Sequence, residues 1–292
     1  TETIERAVAT YANGSCGAYG AFGTLATNAG ASYVDPSVTD GFCYKYRFTV
    51  KDNVDNSVTY TSTSEVQVDT SRPTGTISAN PAGPVSGTAT ISGTSTDGVS
   101  GVQKVDVHYA SGATTGDICL SPPTPTTWSC NWDTTSLPDG LYTITLDVLD
   151  LAGNTQSGTI SRTIVLDNTP PTAGFNSFVE VTGTNFTQSV GSTMYYNPTG
   201  SGSFKVLIDS TDAGSGVNNV TFPAPGTGWT PAVSTPVGTG TPYEQVYAFT
   251  TPSGASPGLL AATSFDNAGK STNANFTLTK DNTAPAGGLI SY

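Results

Sequence analysis

Runs in which apolar and polar residues alternate recur along the whole chain. Three of them cover residues 44–50, 141–149 and 259–265, and each is followed by a short cluster rich in Asp, Asn and Gly. Alternation with a period of two is typical of β-strands with one buried face, and such clusters are typical of turns. The pattern therefore predicts an all-β protein with frequent turns.

Two sequence markers recur at nearly constant spacing. The first is the turn cluster itself, whose copies begin at Asp52, Asp150 and Asp266. The second is an Asp followed by a few polar residues and Pro, and its copies begin at Asp69, Asp167 and Asp281. The gaps between the first and second markers are 17, 17 and 15 residues, and the second markers lie 98 and 114 residues apart. We interpret the first marker as a hairpin turn, in which Gly or Asn adopts positive φ, and the second as a linker between repeated modules.

A third marker, Asp-x-x-Ser-Gly-Val, supports the repeat and indicates that its first copy is incomplete. This marker opens the predicted strands 102–109 and 217–222. At the same spacing, a copy for the first module would precede residue 1. Because residues 7–11 align with residues 105–109 without gaps, we expect the first module to lack its N-terminal strands.

These markers, in three copies, resemble the bacterial Ig-like repeat domains of large extracellular surface proteins and adhesins. In the central part of the chain the resemblance also includes residues 132–140, Trp-Asp-Thr-Thr-Ser-Leu-Pro-Asp-Gly, and Tyr142. It implies tandem immunoglobulin-like β-sandwich modules in an extended array outside the cell or on its surface. It implies no single ligand, because such repeats serve many roles.

The markers predict four segments joined by short Asp- and Pro-containing linkers that limit hinge motion. The segments are 1–70, an Ig-like module lacking its N-terminal strands; 71–168 and 169–282, two further Ig-like modules; and 283–292, the first strand of a following module or a donor strand. In the donor-strand alternative, the last segment of one copy completes the first module of the next copy, and the copies assemble head to tail.

Composition and charge limit both the fold and the kinds of partner that the chain is expected to bind. Hydrophobic residues make up 36% of the chain and charged residues 11%, with 33 Gly and 19 Pro, a mixture that favours strands and turns over helices. The net charge of −12 repels phosphate backbones, so we expect no nucleic-acid partner. No apolar stretch approaches the roughly 18 to 20 residues that cross a bilayer, so we expect no membrane insertion.

The four cysteines favour disulfides in an oxidising, extracytoplasmic compartment. Pairing Cys16 with Cys43 and Cys119 with Cys130 keeps each bridge inside one predicted module. Crossed pairings would instead link separate modules. We therefore predict the two local bridges.

Catalytic chemistry has few candidates in this sequence. The only histidine, His108, lies in an alternating strand and is expected to face solvent. With the cysteines paired, no thiol nucleophile remains, and turn chemistry explains most of the acids better than a pair of hydrolytic carboxylates does. We predict that the chain is not an enzyme.

The acidic residues at the module junctions would suit calcium, which binds carboxylate oxygens. A bound calcium ion could stiffen the joints between modules. The alternative is that these residues only shape tight turns. The candidate calcium ligands are Asp69, Asp97, Asp150, Asp167, Asp212 and Asp281.

Aromatic residues are candidates for a glycan-binding face, since exposed rings stack on sugars. Core packing is the competing interpretation. The candidate glycan-binding residues are Trp229, Tyr243, Tyr195 and Tyr196. A further alternative is a Lys-Asn isopeptide crosslink from Lys205, as occurs in some bacterial surface Ig-like modules.

The function predicted from the sequence is mechanical: a non-catalytic structural repeat segment of an extracellular bacterial surface protein, such as a stalk, adhesin shaft or filament subunit. Its partners would be other modules or other copies of the same protein. The alternative is a set of carbohydrate-binding accessory modules of a secreted protein.

Overall fold

The computed structural model describes residues 1–30, 32–252 and 254–284. Strands dominate these residues, and the one helical element among them is a 3-10 turn, η1, at Thr184–Phe186. No helix in the described ranges is long and apolar enough to cross a lipid bilayer. The predicted strand at 283–292 falls almost wholly outside the described residues.

Residues 1–68 form one six-stranded sheet with the order β2-β1-β4-β5, in which β3 also pairs with β1 and β6 with β4. The longest pairing is between β1 and β4, whose registered partners run from Glu2 opposite Val50 to Thr10 opposite Phe42. The strands are β1 (Glu2–Ala12), β2 (Ser15–Cys16), β3 (Gly23–Thr27), β4 (Phe42–Lys51), β5 (Ser57–Thr61) and β6 (Val66–Val68).

Residues 74–166 form two sheets with the orders β10-β9-β12-β13 and β11-β8-β7. The core side chains alternate along their strands, as on β12, where every second residue from Tyr142 to Asp150 is buried. The strands are β7 (Thr74–Ile77), β8 (Thr88–Thr96), β9 (Val102–Ser111), β10 (Thr114–Leu120), β11 (Thr127–Asp133), β12 (Gly140–Asp150) and β13 (Ile160–Leu166).

Residues 172–280 also form two sheets, with the orders β14-β17-β21-β19 and β15-β16-β23-β22-β18-β20. All the pairings are antiparallel except that of β16 with β23. The strands are β14 (Thr172–Thr182), β15 (Thr187–Val190), β16 (Thr193–Tyr196), β17 (Ser201–Thr211), β18 (Val217–Phe222), β19 (Trp229–Thr230), β20 (Thr235–Val237), β21 (Tyr243–Thr250), β22 (Gly258–Asp266) and β23 (Ser271–Lys280).

The described residues fall into two compact units. The first consists of Thr1–Ala82, Thr88–Asp133 and Tyr142–Ile164. The second consists of Gly83–Gly87, Thr134–Leu141 and the described residues from Val165 onward.

Aromatic side chains form much of each core. In the first unit Trp132 is buried, and its ring centroid lies 5.5 Å from those of Tyr109 and Tyr142. In the second unit a larger buried cluster includes Phe204, Tyr247 and Phe276. These rings remove a large apolar area from water, which is the main stabilising contribution to each sandwich.

The predicted all-β fold of tandem Ig-like sandwiches is confirmed, with the predicted strands 44–50, 141–149 and 259–265 lying inside β4, β12 and β22. The residues with positive φ in the three turns that follow are Asp55, Gly153 and Gly269. The first turn therefore uses an Asp, not the predicted Gly or Asn, because short polar side chains also tolerate this conformation.

The pairing of β1 differs in register from that of β9, its predicted counterpart. On the strand that ends in the turn cluster, Val148 and Val50 hold equivalent places, two residues before the cluster. Val148 lies opposite Val105, whereas Val50 lies opposite Glu2 and not Ala7. Burial nevertheless agrees with the ungapped alignment of residues 7–11 with residues 105–109, because Ala7 and Ala9 are buried like Val105 and Val107.

Both predicted disulfides are present in the structure. Cys16 is bonded to Cys43 and Cys119 to Cys130, with Cα–Cα distances of 5.9 Å in both cases. The two bridges lie within the first unit.

Candidate metal centres

Three carboxylates that are far apart in sequence meet in the first unit. Asp69 follows β6, Asp97 begins the loop between β8 and β9, and Asp150 ends β12. One oxygen from each lies within 4.8 Å of the others. Asp150 is fully buried, and the other two are partly buried.

Backbone amides fix the orientation of these side chains. Asp69 Oδ2 accepts a hydrogen bond from Ser100 N at 2.9 Å, which ties the linker to the β8–β9 loop. Asp97 Oδ1 accepts from Gly101 N at 2.9 Å, and Asp150 Oδ1 accepts from the amide of the residue four positions later at 2.7 Å. The loops therefore hold these carboxylates in place.

The second unit repeats this arrangement with Asp167, Asp212 and Asp266, whose oxygens also lie within 4.8 Å of one another. Asp167 Oδ2 accepts from Ser215 N at 2.7 Å. Asp212 Oδ1 accepts from the amide of the residue four positions later at 2.6 Å, and Asp266 Oδ1 does so at 2.8 Å. The same three markers therefore supply the same three carboxylates in both units.

Asp266 is the most unusual member of the second cluster. The residue is 1% exposed, and its Oδ2 has no hydrogen-bond partner in the structure. Burial raises the pKa of its carboxyl group, and the charges of Asp167 and Asp212 raise it further, whereas the backbone hydrogen bonds from Lys270 and Ala268 lower it. A buried, unpaired carboxylate oxygen facing two more carboxylates is costly without a positive charge nearby.

Three carboxylates fit a hard divalent cation. Calcium takes six to eight oxygen ligands from carboxylates, backbone carbonyls and water in a flexible geometry. A cation at either cluster would offset the mutual repulsion of the three charges. Each cluster offers only oxygen atoms, which suits calcium better than metals that favour nitrogen or sulfur.

The structure brings together five of the six predicted calcium ligands, in two groups. Asp281 is in neither group, and its Oδ1 accepts a hydrogen bond from Thr283 N at 3.1 Å. Asp69 and Asp167 each lie close to two loops of the module that follows. The residues after 284, which would follow Asp281, are outside the described part of the chain.

Asp266 was not among the predicted calcium ligands, because its place in a turn already accounted for it. Its position in its module nevertheless matches that of Asp150.

The prediction of a sugar-stacking face is wrong for three of its four residues. Trp229, Tyr243 and Tyr196 are buried in the core cluster of the second unit. The rings of Trp229 and Tyr196 contact each other and the ring of Phe249. Tyr195 is 37% exposed. Because Tyr195 and Tyr196 are neighbours on one strand, their side chains point to opposite faces and only one of them can be accessible.

His108 lies at the sheet surface. Its Nδ1 is 2.6 Å from Asp117 Oδ1, and its Nε2 is 3.4 Å from Asp147 Oδ2. The imidazole therefore meets two carboxylates, one on each neighbouring strand, and not the serine that a hydrolytic triad needs. Lys205, the isopeptide candidate, forms an ion pair with Glu244 at 2.8 Å.

Two protein families match the chain. Residues 73–146 match the bacterial Ig domain family, and residues 126–192 match the bacterial Ig-like domain family, group 3. The chain contains bacterial Ig-like domains. The two matches cover most of the second predicted module and the start of the third. Of the first cluster, Asp97 lies inside the first match, and Asp69 and Asp150 each lie four residues outside it.

Solved structures of bacterial adhesins are similar to the chain. A 1.5-MDa bacterial ice-binding adhesin has 18% identity and a TM-score of 0.41, with 96% of this chain and 87% of that chain covered. A Ca²⁺-stabilized adhesin of an Antarctic bacterium has 20% identity and a TM-score of 0.37, with coverage of 96% and 66%. A tetra-tandem repeat from the extending region of a large adhesion protein has 19% identity and a TM-score of 0.36, with coverage of 95% and 66%. Comparison with curated proteins gives no significant match.

Proposed function

We propose that this chain is a non-catalytic structural segment of an extracellular bacterial surface protein, such as a stalk, adhesin shaft or filament subunit. Its modules, 1–70, 71–168 and 169–282, would follow one another in tandem, with calcium bound at the two acidic clusters. Bacterial Ig-like domains, two disulfides and a large negative charge all agree with a role outside the cell.

The observation that carries this proposal is the repetition of one acidic cluster at equivalent positions in consecutive modules. In each cluster the linker Asp lies close to two other segments. One is the loop that precedes β9 or β18, and the other is the turn that follows β12 or β22. The residues that would hold calcium are Asp69, Asp97 and Asp150 in the first cluster and Asp167, Asp212 and Asp266 in the second. A cation there would crosslink the linker to the module that follows it and so restrict bending at the junction.

Calorimetric unfolding with and without calcium tests the proposal. A ligand that binds only the folded state stabilises it by about 2.7 kcal/mol at one hundred times its Kd. We expect calcium to raise the unfolding temperature of wild-type protein, and EDTA to reverse the increase. Magnesium is expected to act more weakly, because it requires a stricter octahedral geometry and dehydrates reluctantly.

The variant Asp266→Asn separates calcium binding from a purely structural role. In EDTA we expect it to be at least as stable as wild type, because it removes a buried charge that two neighbouring carboxylates repel. In calcium, the second unit of this variant should not show the increase in unfolding temperature that it shows in wild type. The matched control is Asp281→Asn, which changes a linker Asp of the same unit outside both clusters and should keep the full gain. Wild type with equal unfolding temperatures in calcium and EDTA would refute calcium binding.

A further inference from the structure

The two acidic clusters differ in how their most buried carboxylate is hydrogen-bonded. Asp150 and Asp266 hold equivalent places at the start of the turn cluster, and both are buried. Oδ1 of each accepts the backbone N–H of the residue four positions later, at 2.7 Å for Asp150 and 2.8 Å for Asp266. The backbone part of the turn is therefore the same in both clusters, and the difference lies at the second oxygen, Oδ2.

In the first cluster a side-chain amide donates to this second oxygen. Asn154 Nδ2 lies 2.8 Å from Asp150 Oδ2, and it also donates to the carbonyl oxygen of Asp69 at 3.2 Å. The amide thus connects the turn to the linker, which are two of the three segments that a cation in this cluster would connect. Its hydrogen bond offsets part of the cost of burying the Asp150 carboxylate.

In the second cluster the equivalent oxygen has no donor. Lys270 stands at the position of Asn154, four residues after the Asp. Asp266 Oδ2 has no hydrogen-bond partner among the described residues, and the residue is only 1% exposed, so little water can reach it. A cation bound here would therefore pair an oxygen that the folded chain leaves unpaired.

The turn after β4 shows that the amide contact is a property of Asn at this position. Asn56 follows Asp52 by four residues, and its backbone N donates to Asp52 Oδ1 and its Nδ2 to Asp52 Oδ2, both at 2.9 Å. This turn is exposed and belongs to neither acidic cluster. Because the same two hydrogen bonds form with and without a cluster, we expect Lys270→Asn to add the amide contact to the second cluster.

We propose that the second cluster binds calcium more tightly than the first, and that the residue four positions after the turn Asp sets the difference. This inference rests on the proposed calcium binding and adds an order of filling to it. In the first cluster calcium must compete with the Asn154 amide for Asp150 Oδ2. In the second cluster calcium meets a buried oxygen without a donor, and binding removes the cost of leaving that oxygen unpaired.

The order of filling has a consequence for the two units. A buried charged group without a partner costs enough free energy to change a binding constant by about tenfold. As the calcium concentration rises, the second cluster would therefore fill first. At intermediate concentrations calcium would stabilise the second unit and leave the first unit largely unchanged.

Isothermal titration of calcium chloride into the calcium-free, full-length chain measures the two affinities. We expect two classes of site, with dissociation constants that differ by about tenfold. Asp266→Asn should remove the tighter class and Asp150→Asn the weaker one. Two sites of equal affinity, or loss of the tighter class in Asp150→Asn, would overturn the proposal.

Lys270→Asn tests the role of the amide. It should weaken the tighter class by about tenfold, because the new amide would donate to Asp266 Oδ2. Lys270→Ala is the matched control, since it removes the same positive charge and supplies no amide. Loss of a positive charge favours a bound cation, so the control should bind calcium as tightly as wild type or more tightly. Equal affinities of the two variants would show that the amide does not set the difference.

Asn154→Ala is the reciprocal change in the first cluster. It leaves Asp150 Oδ2 without this donor and should tighten the weaker class toward the affinity of the other. Thermal unfolding in EDTA checks that the variant is folded, although the first unit should unfold at a lower temperature than in wild type. Unchanged calcium affinity in the folded variant would contradict the proposal. A wild type that binds no calcium would overturn the proposed function as well, whereas two equal sites would overturn only the order of filling.

Discussion

Among single residues, Asp35 has the most heavily hydrogen-bonded carboxylate of the first sheet. It accepts hydrogen bonds from Arg6 Nη1 at 2.7 Å, from Tyr46 Oη at 2.9 Å and from Ser37 Oγ at 2.6 Å. Burial alone would raise its pKa, but the hydrogen bonds from Ser37, Arg6 and Tyr46 lower the pKa to about 2. The folded state therefore holds this group charged well below the pKa of about 3.9 in the unfolded chain.

This depressed pKa gives a pH-dependent prediction for Asp35→Asn. The stabilisation by the charged form is fully present above about pH 4 and is lost as the pH falls through about 2. At pH 7 we expect the variant to be less stable by about 1 to 2 kcal/mol, allowing for solvent screening. Urea denaturation at pH 7, 4 and 2 measures the difference, which should shrink toward low pH. A difference that stays constant across this range would contradict the assignment.

The sequence alone predicted only part of each candidate metal site. The markers located Asp69, Asp97 and Asp150 because each Asp has a fixed place in a turn or linker. Sequence alone could not show that Asp266 has an oxygen without a partner, because that depends on how three distant loops approach one another. Likewise, the burial of Trp229 depends on its contacts with Tyr196 and Phe249 from other strands.

At the scale of elements, Gly93 allows three strands of one sheet to pack under a tryptophan ring. In the register of the sheet it lies between Ile77 of β7 and Trp128 of β11. A Cβ atom here would collide with the carbonyl oxygen of Thr76 and with the Trp128 ring. Since Trp128 is 1% exposed, the ring has little room to move away.

We therefore expect Gly93→Ala to lower the free energy of unfolding by about 2 to 3 kcal/mol, as overpacking in a core does. Gly98→Ala is the matched control, because nothing lies within 4 Å of the Cβ position there. The control should change stability by less than about 0.5 kcal/mol. Chemical denaturation of both variants measures the difference, and equal effects would show that the ring can adapt.

Strands with regular alternation were predicted well, and irregular ones were not. β12 and β22 bury alternate side chains beside a turn that the sequence marks, and β4 has the same alternation of apolar and polar residues before its turn, so these patterns are local. The short strands β19 and β20 lie in a region where turn residues dominate, and only pairing with β21 and β18 defines them. The register of β1 likewise depends on its pairing with β4 and not on the sequence of β1 alone.

At the scale of the whole molecule, the two units use different covalent support. Both disulfides lie in the first unit, where Cys16–Cys43 and Cys119–Cys130 close loops with sequence separations of 27 and 11. The first unit contains the single sheet of residues 1–68, in which the cluster of buried apolar residues is small. The second unit has no cysteine at all in the sequence and relies on its large aromatic cluster.

Reduction of the disulfides should therefore lower the stability of the first unit only. Each bridge is expected to stabilise the first unit by about 3 kcal/mol in the chain-entropy model, so reduction of both should lower its unfolding temperature by more than about ten degrees. The transition of the second unit, assigned by its response to Asp266→Asn, should not move. Calorimetry of oxidised and reduced protein measures both transitions. Calcium should raise both, because each unit contains an acidic cluster, whereas reduction should lower one. Equal shifts of the two transitions on reduction would contradict this prediction, since the loss of a bridge would then destabilise a unit that has none.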